Sequence, residues 1–260
     1  PALSEANASV VRCNVRRQGL LIFGLSGQSA FMDVPHFHLP EETIHATSLF
    51  FEPGGKGYNQ AVAAARMGAD VTFVSAIGED VDGDACKQRL IEERIRAHLF
   101  RKREAHTAYA FILTDSAGEN HVTVYPGASL TRKDVLSHSE LFERACLLLL
   151  TPEIPHEAFN EAFTLAKKYG VRTIINPAPF TPWIIEYARE AWCLTPNQIE
   201  AQDLLGIDET DDLASALKDS HYERMVVTLG ASGALCLENG TVTPLPTQKV
   251  AAKDSTGAGD

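Results

Sequence analysis

Short apolar runs alternate with longer segments of helical period, and that alternation limits the fold more than any other feature of this sequence. One strand candidate, residues 147–151, opens with four consecutive leucines. Further strand candidates cover residues 20–25, 71–76, 110–114, 121–125, 172–176, 192–195, 225–229 and 234–237. A strand that is apolar at every position is buried on both faces, as in a parallel sheet covered by helices on either side. Between these runs, Ala158, Phe159, Ala162, Phe163 and Ala166 recur at helical spacing within His156–Tyr169, and Gly170 supplies the stop. Residues 58–67 and 84–94 also read as helices. The pattern predicts an α/β protein with a doubly wound, mostly parallel sheet and helices on both faces.

Two regions break the pattern. In residues 36–51, Ile44, Ala46, Ser48 and Phe50 alternate as on one face of a strand, and residues 107–125 read as a hairpin turning at 115–118. They predict a small β lid over about 36–53 and 105–127. Residues 1–18 are polar, contain Arg and lack the apolar stretch of a secretory signal. They divide the chain into a flexible tail, 1–19, and one α/β domain, 20–260.

The formal net charge of −11 argues against a nucleic-acid partner, whose phosphates are bound mainly through Lys and Arg. No apolar run has the length of a membrane span. The five cysteines form no C-x-x-C pair; Cys146 and Cys236, in apolar runs, read as core thiols, and a cytoplasmic location is expected.

Five short motifs carry chemistry. In residues 54–61 (GGKGYNQA), adjacent glycines let backbone amides approach a ligand at a helix start, and Lys56 adds a mobile cation. The same turn also serves as a plain strand–helix connector. Residues 195–201 (TPNQIEA) place Asn197 and Glu200 three apart at a helix start. That spacing suits the water shell of Mg²⁺ and equally suits a capping box. Residues 176–179 (NPAP) and 228–233 (TLGASG) each follow a strand, where open α/β sheets bind ligands. Residues 254–260 (DSTGAGD) form a small-residue turn whose amides suit a developing phosphoryl charge, with Asp260 beside it to take a proton. Taken alone, it is also an ordinary surface turn.

In this order the five motifs resemble the ribokinase-like (PfkB) carbohydrate kinases, over about residues 20–260. The resemblance implies ATP-dependent phosphorylation of a sugar hydroxymethyl group, with ATP, Mg²⁺ and K⁺ as cofactors and a small sugar as partner. Asp260 matches the general base, and Gly257, Ala258 and Gly259 the anion hole. Gly55, Lys56, Asn59, Glu153 and Ser29 match sugar-side positions. Asn197, Thr228 and Gly230 match nucleotide-side positions. Asn197 and Glu200 stand near Mg²⁺, acting through water, and Asp254 and Thr256 near the monovalent cation. The family's lid also pairs two subunits, which implies a homodimer here.

Two departures qualify these expectations. Sugar-binding members carry an Asn and an Asp where this chain has Gly27 and Ser29, which puts ribose itself in question and leaves a nucleoside acceptor open. The sequence stops at Asp260, before the helix that the family's glycine turn initiates, so the 260-residue piece is expected to turn over poorly. A non-catalytic sugar- or nucleotide-binding protein is the competing reading. His36 and His38 share a strand spacing but lack an evident third metal ligand.

Overall fold

The computed structural model describes residues 19–247 and Gly259. Of the expected tail, 1–19, all but Gly19 lies outside them, as do Asp254, Thr256, Gly257, Ala258 and Asp260.

In chain order the elements are β1 Leu20–Phe23, β2 Gly27–Asp33, β3 Ser48–Gly54, α1 Lys56–Arg66, β4 Val71–Gly78, α2 Val81–Glu92, β5 Arg96–Lys102, β6 Ala108–Thr114 and β7 Asn120–Tyr125. There follow α3 Arg132–Leu136, α4 Leu141–Arg144, β8 Leu147–Leu150, α5 His156–Tyr169, β9 Arg172–Ile175, α6 Ile184–Ala188, β10 Cys193–Leu194, α7 Gln198–Leu205, α8 Leu213–Asp219, β11 Arg224–Thr228, β12 Ala234–Glu238 and β13 Thr241–Leu245. The main sheet has the order β13-β12-β11-β10-β9-β8-β1-β4-β5. It is parallel from β11 to β5, and an antiparallel β12–β13 hairpin closes one edge.

Burial on β1 explains the two layers of helices. Leu21 and Phe23 enter a core with Leu148, Leu150 and the α5 residues Ala158, Phe159 and Ala162. Ile22, pointing the other way, packs with Tyr58, Ala61, Phe73 and Leu90 of α1, β4 and α2. The expected doubly wound architecture, with helices on both faces of a mostly parallel sheet, is therefore present.

A second sheet, β3-β2-β6-β7, is separate from the first. It takes in Gly27–Asp33, so the chain passes directly from β1 into it. Of residues 36–53, only 48–53 are strand. Cys146 is disulfide-bonded rather than a free thiol, while Cys236 is a half-buried free thiol. No helix among the described residues is long and apolar enough to cross a membrane, and no group of His, Cys, Asp and Glu there is placed to hold a metal ion.

Candidate active site

The parallel strands bring most of the described motif residues to one edge of the main sheet, at the strands' C-terminal ends. Glu153 follows β8, Asn176 follows β9, Asn197 follows β10 and Thr228 ends β11. From β8 to β11 is three strand steps, roughly 14 Å at the usual spacing. The edge therefore has two poles.

At the first pole α1 begins. Gly24, after β1, and Gly57, in the first turn of α1, cross so closely that a Cβ on either would lie 2.5 Å from the other's Cα. Only two glycines permit that approach. It lets Tyr58 N donate to Leu25 O at 3.1 Å and Gly57 N donate to Glu153 Oε2 at 3.3 Å. A carboxylate thus sits on a helix N-terminus, where amides and dipole favour it. Lys56 and Asn59, three apart on the same turn, are half-buried beside it, as is Gly55. Nearby, Thr151 Oγ1 and Asn176 Oδ1 are buried without a hydrogen-bond partner, although Asn176 Nδ2 donates to Thr195 O at 2.6 Å. Such atoms call for a ligand or a water.

At the second pole both local readings of Asn197 and Glu200 meet a definite geometry. Asn197 Oδ1 accepts from Glu200 N at 2.9 Å, and Glu200 Oε2 accepts from Asn197 N at 2.9 Å. This is a complete capping box on α7. Thr228 N donates to Pro196 O at 3.0 Å, tying the end of β11 to the start of α7. Thr228 and Gly230 are exposed beside it.

Ser29 lies on β2 of the second sheet, with its Oγ 2.7 Å from where a Cβ on Gly54 would stand. It is thus joined to the first pole through Gly54 and Gly55. Gly259 lies in an exposed turn. Hollows of about 460 and 540 Å³ include the strand starts on the opposite edge of the sheet, and neither is lined by an expected site residue. The contact between Glu153 and Gly57 spans 96 positions, and no local signal reports it.

Residues 20–260 match the profile described as pfkB family carbohydrate kinase. Ribokinase of Haemophilus influenzae is 33% identical over 253 residues, covering 94% of this chain and 82% of that protein. Ribokinase of Staphylococcus aureus is 32% identical over 252 residues, covering 93% and 82%. Among solved structures, Thermotoga maritima ribokinase superposes with a TM-score of 0.81 at 30% identity, covering 93% of this chain and 82% of that one. Cryptococcus neoformans ribokinase in complex with ADP gives 0.78 at 29%, covering 93% and 83%. The chain belongs to the PfkB family of carbohydrate kinases, phosphotransferases that act on a sugar hydroxyl.

Proposed function

We propose that this protein transfers the γ-phosphoryl group of ATP to the hydroxymethyl group of ribose or a ribose-like sugar in the cytoplasm. The carrying observation is the two-pole edge, where Glu153, Lys56 and Asn59 gather at the α1 start, Asn197 and Glu200 stand two strands from β8, and Thr228 stands three. The Cryptococcus relative was solved in complex with ADP, which supports an adenine nucleotide as a ligand.

In this reading Glu153, Asn59, Ser29 and the Gly55 backbone hold the sugar hydroxyls, and Lys56 offsets negative charge. Asn197, Thr228 and Gly230 hold the nucleotide. Phosphoryl transfer depends on positioning and charge neutralisation more than on covalent help. Asp260 accepts the proton of the attacking hydroxyl, and the amides of Gly257, Ala258 and Gly259 receive the charge developing on the phosphoryl oxygens.

The donor set at α7 fits Mg²⁺ held through water. Glu200 gives Oε2 to the cap, and its other oxygen is not taken by that bond. Bound there, Mg²⁺ would neutralise phosphate charge. Asp254 and Thr256 are the proposed ligands of K⁺. The second sheet serves as a lid that keeps water from competing as acceptor. Its exposed Leu49, Phe51, Phe111 and Tyr125 pair two copies of the chain.

The test is ADP release with ATP, Mg²⁺ and K⁺ over a panel of pentoses, hexoses and nucleosides, with Asp260→Asn alongside. Sugar-dependent turnover that falls at least a hundredfold or so in the variant supports the proposal. Folded protein that binds sugar or nucleotide but turns over neither favours a non-catalytic binding protein. Turnover confined to nucleosides replaces the acceptor class.

A further inference from the structure

The register of the second sheet sorts its side chains onto two faces. Gly27 pairs with Gly54 and Ala108; Ser29 with Glu52 and Ala110; Phe31 with Phe50 and Ile112. Ala110 and Ile112 pair in turn with Val124 and Val122. Directly paired residues point the same way, so these three rows share one face. The other face carries Tyr109, paired with Gln28 and stacked on Phe111 at 4.9 Å; burial, and then the Asp82 carboxylate at the start of α2, push its hydroxyl above the ordinary value. The first face leads through Gly54 and Gly55 into the turn where Gly57 meets Glu153.

Within those three rows Glu52 is the only ionisable side chain. Ser29, directly across the ladder, is small, with Cβ atoms about 5 Å apart in such a pair. A carboxylate reaching from Glu52 therefore enters the space above Ser29. The Glu52 side chain is exposed, and no hydrogen bond or ion pair engages it among the described residues. The next row outward is closed by Phe31 and Phe50, stacked at 4.7 Å. The polar band on this face is one row deep, and Glu52 supplies its charge. A larger residue at position 27 is excluded, because a Cβ there would lie 2.5 Å from Ala108 O.

We propose that Glu52 is a specificity-determining residue that accepts hydrogen bonds from the secondary hydroxyls of the acceptor sugar. The carboxylate missing from β2 at Ser29 is thus supplied from β3. The inference rests on the reading of the α1 start as the acceptor pole.

The experiment compares wild type, Glu52→Gln, Glu52→Ala and the exchange variant Ser29→Asp with Glu52→Ala. Kinetics are run with ribose and 2-deoxyribose, and sugar binding is followed by calorimetry. Loss of a charge-assisted bond raises the sugar KM about ten- to a hundredfold in Glu52→Gln, with kcat and the ATP KM little changed. The exchange variant recovers most of the loss, which a merely structural role would not allow. Wild-type turnover with an unchanged sugar KM in Glu52→Gln overturns this inference and leaves the kinase standing. A wild type that neither binds nor phosphorylates either sugar overturns both.

Discussion

Gly57→Ala is the sharpest test of how the first pole is built. The added Cβ would lie 2.5 Å from Gly24 Cα, 3.0 Å from Gly24 C and 3.1 Å from Leu25 N. All three atoms are backbone, so no rotamer change relieves them. Relief requires the α1 start to move off β1 by about 1 Å, since ordinary carbon contacts begin near 3.5 Å. Overpacking of this kind costs roughly 1–3 kcal/mol, and the better helix propensity of Ala returns up to about 1 kcal/mol. A net loss of about 1–2 kcal/mol lowers Tm by roughly 2–8 °C in a domain of this size. The same shift breaks the 3.3 Å bond from Gly57 N to Glu153. A displacement near 1 Å at reacting groups is worth up to about a hundredfold in rate. Calorimetric melting and steady-state kinetics with the best acceptor measure both effects. A variant that melts at or above the wild-type temperature, with unchanged kcat/KM, would refute the crossing and the role given to this turn.

The other predictions concern single groups. Glu200→Ala loses half of the α7 capping box, about 1 kcal/mol, whereas Glu200→Gln keeps the cap and raises the Mg²⁺ concentration needed for turnover; melting and Mg²⁺ titration separate the two effects. Burial would raise the Asp80 carboxyl, but bonds from the Thr107 hydroxyl, Thr107 N and Gly83 N outweigh it and hold its pKa below the ordinary value. Asp80→Asn therefore destabilises at pH 7, and its deficit shrinks as the pH falls from about 4 through the lowered folded value, as urea melts across pH would record. The Cys86 thiol is fully buried and pushed up to about 11; it should resist a thiol reagent at pH 8 until urea unfolds the protein, and fast labelling of the native state contradicts that burial.

The sequence exposed most clearly those elements whose signal is local. His156–Tyr169 is bounded by its own period and by Gly170, and the unbroken hydrophobicity at Leu147 marks β8, although the sequence extends it one residue too far, to Thr151. Three strands escaped for definable reasons. Only residues 24–26 separate β1 from β2, so one apolar stretch hides a change of sheet. Arg96–Lys102 is charged because it lies on the sheet edge. Thr241–Leu245 contains Pro244, which an edge strand tolerates. The alternation at Ile44 and Ala46 lies before β3 begins, because a period of two marks a strand only where another strand pairs with it.

The same division runs through the site. The Asn197–Glu200 box could be read from a spacing of three, and the structure adds that capping uses one carboxylate oxygen. The first pole could not be read that way. Its defining contacts join Gly24 to Gly57 and Glu153 to Gly57, pairs that only the parallel sheet brings together. Glu52 shows the difference most directly. In the sequence it is one charge in a segment expected to form a lid, and Ser29 looks like a lost carboxylate. Once β2 and β3 are in register, the two positions are cross-strand neighbours on one face, and the carboxylate needs only to be supplied from the facing strand.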